Sequence, residues 1–213
     1  MKIRWNGHAC FTLEAEEARI VTDPFAAEVP YELPTTAADV VTVSHDHFDH
    51  NAVDRIEGTP SVVREIGETV AAEVSFRGIE SFHDECGGAE RGTNRIYAFT
   101  LEGIRFAHLG DLGTSLNDDQ RAALSDVEIL FLPVGGHFTI DARQAAELIA
   151  SLPNVRIVIP MHYKTEVIVD WPIAVVDEFE SLMDNARRVG ASTVEVTRAA
   201  LPEQREVWIL DHA

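Results

Sequence analysis

The sequence predicts a mixed α and β fold, and three observations predict it. Short apolar runs separated by turn residues fill the first hundred positions. From residue 117 onward, helical spacing alternates with further apolar runs. Apolar residues make up 46% of the 213 positions, enough for one large core. Residues 1–213 are therefore read as a single domain, without repeats, linkers or low-complexity segments.

Residues 2–5, 9–13 and 18–22 read as an antiparallel meander, in which Ile3, Trp5, Phe11 and Leu13 alternate with polar neighbours. Gly7 marks the first turn, and His8 beside it reads as a turn histidine. Residues 26–38, with Pro30 and Pro34, read as a loop bordering a cleft lined by Tyr31 and Leu33. Residues 40–43 form a buried strand. Residues 51–57 suit one or two helical turns, 61–64 an edge strand and 69–74 a short helix. Residues 95–101 and 104–108 form a hairpin across Glu102-Gly103. A short helix over 117–124, a buried strand over 127–132 and a helix over 141–150 follow, the last opened by an Asp141/Gln144 capping box. Residues 155–160 read as a strand and 177–188 as a helix stopped by Gly190. Residues 192–197 and 205–210 read as closing strands, and His212 as a tail residue.

Lys and Arg number 17 against 36 Asp and Glu, a formal net charge of −19. Such a surface repels a nucleic-acid backbone, so no nucleic-acid partner is expected. No apolar stretch approaches the ~20 residues of a membrane span, so no membrane partner is expected either. The first residues carry no signal-peptide pattern, which predicts a cytoplasmic location. Cys10 and Cys86 form no framework and read as reduced thiols.

The chemistry concentrates in Ser44-His45-Asp46-His47-Phe48-Asp49-His50-Asn51, directly after the apolar run 40–43. Three imidazoles within six residues at a strand end are poorly explained as a surface loop. His45 and His47 are two apart and point the same way in extended backbone. A mixed imidazole and carboxylate set suits zinc or iron better than calcium or magnesium. Later apolar runs deliver His83, Asp111 and His162. The Pro133-Val134-Gly135-Gly136-His137 turn carries one more histidine, and Arg91 and Arg95 are two of the few nearby cations.

His-x-His-x-Asp-His after a short apolar strand resembles the signature of the metallo-β-lactamase superfamily. His83, Leu109-Gly110-Asp111 and Pro160-Met161-His162 match its later motifs. The resemblance covers roughly residues 1–190, and its details are similar to the small hydrolase group related to the ascorbate-6-phosphate lactonases. It implies an α/β (α+β) four-layer αβ/βα sandwich. It also implies two divalent metal ions, Zn2+ first, with Mn2+, Fe2+ or Ni2+ as alternatives. His45, His47 and His83 would hold one ion; Asp49, His50 and His162 the other; Asp111 would bridge them. Asp23, in Thr22-Asp23-Pro24, would support the metal loop by hydrogen bonds, and His8 would back the site.

The chemistry so implied is hydrolysis of a small-molecule ester, lactone or phosphoester by a hydroxide shared between the metals. Asp49 would orient that hydroxide and shuttle its proton. His137 is either a donor to a developing oxyanion or a histidine packed on its turn. Tyr163 and Lys164 follow the last ligand and would contact substrate; His108 reads as a core or supporting histidine. The alternatives are a phosphodiesterase and a non-hydrolytic metal-binding or redox protein. A homo-oligomer is compatible with all three.

Overall fold

The first sheet grows from the expected meander: β1 (Lys2–Gly7), β2 (Cys10–Glu14) and β3 (Arg19–Thr22), with Leu13 opposite both Ile3 and Ile20. β4 (Val40–Thr42) runs parallel to β3, and β5 (Ser61–Val63) parallel to β4 at the edge. Successive strand residues face opposite sides. Accordingly Ile20 and Val40 enter the main core, whereas Val21 and Val41 enter a smaller one. The computed structural model describes residues 1–33 and 37–213, so Pro34 of the expected cleft loop lies outside the described residues.

The second sheet begins with an antiparallel ladder of β6 (Gly67–Ala71), β7 (Val74–Phe82), β8 (Thr93–Leu101) and β9 (Ile104–His108). After α1 (Asp118–Ala123), β10 (Ile129–Pro133) pairs parallel to β9. After α2 (Ala142–Ala150), β11 (Ile157–Met161) pairs parallel to β10. The chain closes with α3 (Asp177–Ser181), β12 (Ala186–Arg188), β13 (Thr193–Glu195) and β14 (Glu206–Ile209). Among the described residues the sheet orders are β13-β1-β2-β3-β4-β5 and β12-β14-β11-β10-β9-β8-β7-β6.

Aromatic side chains join the sheets. Phe11 of β2 meets Phe131 of β10 at 4.4 Å between ring centroids, and Phe106 stacks on Phe131 and Phe99. Helix α2 adds Ala142, Ala145, Leu148 and Ile149 to the same core, and its Asp141/Gln144 capping box closes in both directions. The other face of the first sheet is covered by Phe25, Val29, Tyr31, Leu33, Ile56, Ile168 and Ile173, all from loops or next to the 3-10 turn Val53–Arg55. On that side the outer layer of the sandwich is thus loop. Tyr31 and Leu33 are core residues there, not the cleft lining expected of them.

Two elements depart from expectation. Residues 69–74 are the end of β6, a two-residue turn and the start of β7. Ala72 and Glu73 both take positive φ, 47° and 64°. That backbone normally selects Asn-Gly, so Ala-Ala-Glu looked helical and hid the turn. The helix over 177–188 stops at Ser181. Asp184 and Asn185 turn the chain, and Ala186–Arg188 pairs with β14 instead. The open edge of β14 wins over helical periodicity, and Arg187 stacks 4.6 Å over Trp208.

Candidate metal centre

Parallel strand directions gather the polar residues. His83 directly follows β7, Asp111 follows β9 by three residues, and His162 directly follows β11. In this sheet β7, β9 and β11 run the same way, so their C-terminal ends share one edge. The His45–His50 loop leaves β4 of the facing sheet. His8 comes from the β1–β2 turn of that sheet, where β1 runs parallel to β4.

Asp111 sits at the centre. Its Oδ2 lies 3.2 Å from His50 Nε2, 3.2 Å from His83 Nε2 and 3.1 Å from His162 Nε2. His45 Nε2 is 4.0 Å away from it and 3.0 Å from His47 Nδ1. Candidate ligand atoms form three groups, each within 4.8 Å: His45, His47 and His83; His8, Asp49, His50 and His162; His45, His50 and Asp111. The structure therefore gathers all seven residues expected to bind metal, and adds His8. His8 is fully buried, with Nε2 3.1 Å from Asp49 Oδ2 and 3.2 Å from His50 Nε2.

A second set of residues fixes the first. The buried Asp23 carboxylate accepts from Ser44 N–H at 2.8 Å and from Ser44 Oγ–H at 2.6 Å, and takes the His50 Nδ1–H at 2.9 Å. In the neutral ring this makes Nε2 the nitrogen left free to bind metal. Because Ser44 Oγ donates to Asp23, it accepts from His45 Nδ1–H at 2.9 Å, and His45 Nε2 is also left unprotonated. Asn94 receives the Asp111 N–H at 3.0 Å and donates to Leu109 C=O and Ser81 Oγ. Arg95 donates to Ser44 C=O at 3.1 Å, so it braces the metal loop and does not enter the cleft. Gly113 packs against the His83 backbone, where any Cβ would collide. His8, Asp23 and His162 all take positive φ, a conformation costing about 1–3 kcal/mol each and held only by surrounding contacts.

Burial lowers His45 to about 3 and His8 to about 4, and it lowers His47 as well. These imidazoles are neutral bases at pH 7, the form that binds metal. Burial opposes charge on Asp111, but His162 and His50 hold it well below the usual carboxylate range. Burial likewise opposes charge on His50, yet Asp111 and Asp49 raise it well above the usual imidazole value. Without metal, an imidazolium at His50 is what satisfies the central carboxylates.

The donor set fits divalent metal. Imidazole nitrogens face one another at 3.0–3.2 Å, a contact between lone pairs that needs a proton or cation between them. Tetrahedral zinc, with ligands at ~2.1 Å, sets donor atoms about 3.4 Å apart, close to these spacings. Asp111 Oδ1 is buried without a hydrogen-bond partner among the described residues, an anionic acceptor left for a cation.

These shifts predict how the metal-free protein responds to acid. His8 and His45 have folded pKa values below the unfolded 6.5, so the unfolded chain binds more protons between about pH 6.5 and 4. Their contribution is present above pH 6.5 and falls away as pH drops towards 4. His50 acts oppositely, favouring the fold below pH 6.5 and losing that effect as pH rises through its raised value. Urea unfolding in chelator is expected to show roughly 3 kcal/mol less stability at pH 4.5 than at pH 7.5. Equal stability at the two pH values contradicts the burial of neutral imidazoles.

The remaining expected residues lie apart. His137, at φ 60°, is exposed and lies edge-on to Phe138, 4.4 Å between ring centroids. It is not among the residues that line the cleft over the metal centre, so the catalytic role expected of it gains no geometric support. Tyr163 is buried against Trp5 and donates to Leu210 C=O, and Lys164 lines a separate cavity beside His212. Neither reaches the cleft. His108 is a core residue bonded to Ala9 C=O at 2.8 Å. His212 is more than a tail residue, because it bonds Glu166 at 2.8 Å. Cys10 and Cys86 are free thiols. Among the described residues no helix is long and apolar enough to cross a membrane.

Over the centre opens a cleft of about 650 Å³. Phe48, Arg91, Phe138, Asp170, Trp171 and Pro172 line it beside His47, Asp49, His83, Asp111 and His162. Arg91 comes from the loop after β7 and Phe138 from the loop after β10. Trp171 and its neighbours come from a segment with no local periodicity to reveal them.

Residues 2–162 match the Beta-lactamase superfamily domain. A UPF0173 metal-dependent hydrolase of Pyrobaculum islandicum is 32% identical over 78% of this chain and 85% of its own length. One of Alkaliphilus metalliredigens is 29% identical, covering 78% of this chain and 86% of that protein. A Thermotoga maritima structure, described as a candidate Zn-dependent hydrolase of the metallo-beta-lactamase superfamily, is 38% identical. It superposes with a TM-score of 0.84 over 100% of this chain and 99% of that one. The meander, the paired sheets and the histidine-rich strand ends are those of this family: the chain belongs to the beta-lactamase superfamily, among the UPF0173 metal-dependent hydrolases.

Proposed function

We propose that the protein is a dinuclear metal-dependent hydrolase of a small-molecule ester or lactone. The observation that carries this is the Asp111 carboxylate, whose Oδ2 lies within 3.2 Å of imidazole nitrogens from both ligand groups. His45, His47 and His83 would hold one ion, and Asp49, His50 and His162 the other, with Asp111 shared. When two divalent ions are bound, the chemistry supplied there is Lewis-acid polarisation of a carbonyl or phosphoryl oxygen and activation of water. Zinc is the first choice for so histidine-rich a set.

The chain's own groups do the rest. Asp49 Oδ2 would take a proton from the attacking water, with the His8 Nε2 3.1 Å away steadying that carboxylate. A substrate seated on Phe48, Phe138 and Trp171 would displace water from the cleft, which strengthens the charge interactions inside. A mostly apolar cleft of this volume suits a small molecule, and the net charge of −19 disfavours nucleic acid.

Elemental analysis together with a substrate panel tests the reading. Two divalent ions per chain are expected, with turnover of 4-nitrophenyl acetate or a γ-lactone that chelator abolishes and added metal restores. Bis(4-nitrophenyl) phosphate separates ester from phosphodiester chemistry. A metal-replete protein that turns over no member of the panel in a metal-dependent way sinks the proposal.

A further inference from the structure

The loop after His83 is built around one carboxylate. Asp84 accepts backbone N–H bonds from Cys86 at 2.8 Å, Gly88 at 2.8 Å, Glu90 at 3.0 Å and Arg91 at 2.8 Å. Those four charge-assisted bonds tie residues 86–91 to a single side chain. The loop therefore presents Arg91 in a fixed place on the cleft wall. The Arg91 guanidinium lies 5.7 Å from the Phe138 ring centroid. Among the described residues its only ionic partner is the neighbouring Glu90, 3.7 Å away and largely exposed. A fork of N–H donors is thus aimed at a cleft and left largely unspent.

The rest of the lining narrows what those donors meet. Arg91 is the only Arg or Lys among the lining residues described. Of the two rim carboxylates outside the metal centre, Asp46 is engaged by Arg64 at 2.9 Å, while Asp170 adjoins Trp171. Phe48 is 54% exposed beside the opening, an aromatic side chain that protein packing does not use. The cleft therefore offers an aromatic floor and, on the 84–94 loop, one preorganised cation.

Resting on the hydrolase reading, we propose that the substrate is an amphipathic carboxylate. Its aromatic or otherwise apolar body sits on Phe48, Phe138 and Trp171, and Arg91 grips its carboxylate at the end remote from the scissile bond. A planar carboxylate matches the guanidinium fork through two parallel hydrogen bonds, which a lysine cannot reproduce. The metal centre is then kept for the bond that breaks.

The test uses ligands that cannot be hydrolysed. Phenylalkanoates from phenylacetate to 5-phenylpentanoate, and the alcohols of matching length, are titrated calorimetrically into the metal-loaded protein. At least one acid is expected to bind about tenfold more tightly than its alcohol. Arg91→Ala should erase that preference and Arg91→Lys should restore part of it. Trp171→Ala should weaken acid and alcohol alike. No acid preference overturns the proposal. So does a preference that survives Arg91→Ala, because the carboxylate then sits on the metals. Since the titration involves no turnover, failure of the ester assay and failure here are separate results.

Discussion

Asp111→Ala is expected to strip the protein of both metal ions and to reduce metal-dependent hydrolysis by about 10³-fold or more. The reason is the position of one oxygen. Oδ2 contacts His50, His83 and His162 at 3.1–3.2 Å, so both ligand groups share it. Removing it takes away the only carboxylate common to the two groups and leaves His50 without the charge that most raises its pKa. Elemental analysis after gel filtration, with turnover measured on the same sample, checks the claim. A variant that still holds two ions and still turns over substrate shows that the groups are independent.

Asp23→Asn is expected to have the next largest effect, although Asp23 belongs to none of the candidate ligand groups. Asn tolerates the left-handed backbone at this position, where φ is 40°, so the chain path survives. Its amide cannot accept from Ser44 N–H, Ser44 Oγ–H and His50 Nδ1–H together, because one end of it is a donor. His50 is then driven to the other tautomer, with a proton on the Nε2 that must face metal. Metal affinity should fall about 10–100-fold, and the buried mismatch should cost about 3 kcal/mol of stability. Chelator competition reads the first and urea unfolding the second. Unchanged affinity assigns Asp23 to packing alone.

The metal loop was legible because its information is local. His45, His47, Asp49 and His50 fall within a six-residue span just after one strand end, and their spacing needs no tertiary knowledge. His83, Asp111 and His162 were legible for a different reason, since each ends an apolar run and the resemblance supplies the order. His8 was legible only as a supporting residue, through the resemblance carried by Gly7-His8-Ala9. Its direct contact with Asp49 and His50 depends on β1 running parallel to β4 three strands away, a sheet-level fact that local spacing does not carry. Trp171 was hidden similarly, in a loop without periodicity. Residues 69–74 misled because Ala72 and Glu73 adopt a turn that their side chains do not favour. Residues 177–188 misled because a free strand edge outweighed helical spacing.

The candidate ligands come from both sheets. The His45–His50 loop and His8 belong to the first, whereas His83, Asp111 and His162 belong to the second. Ions held there would act as a rivet across one end of the sandwich, fastening two layers that are otherwise joined mainly by apolar packing. Resistance to unfolding then tracks the supply of free metal, rising by RT ln(1 + [M]/Kd) as the ion concentration exceeds its dissociation constant. Metal depletion would then lower activity and resistance to unfolding together, a coupling that thermal melts with and without chelator would read directly.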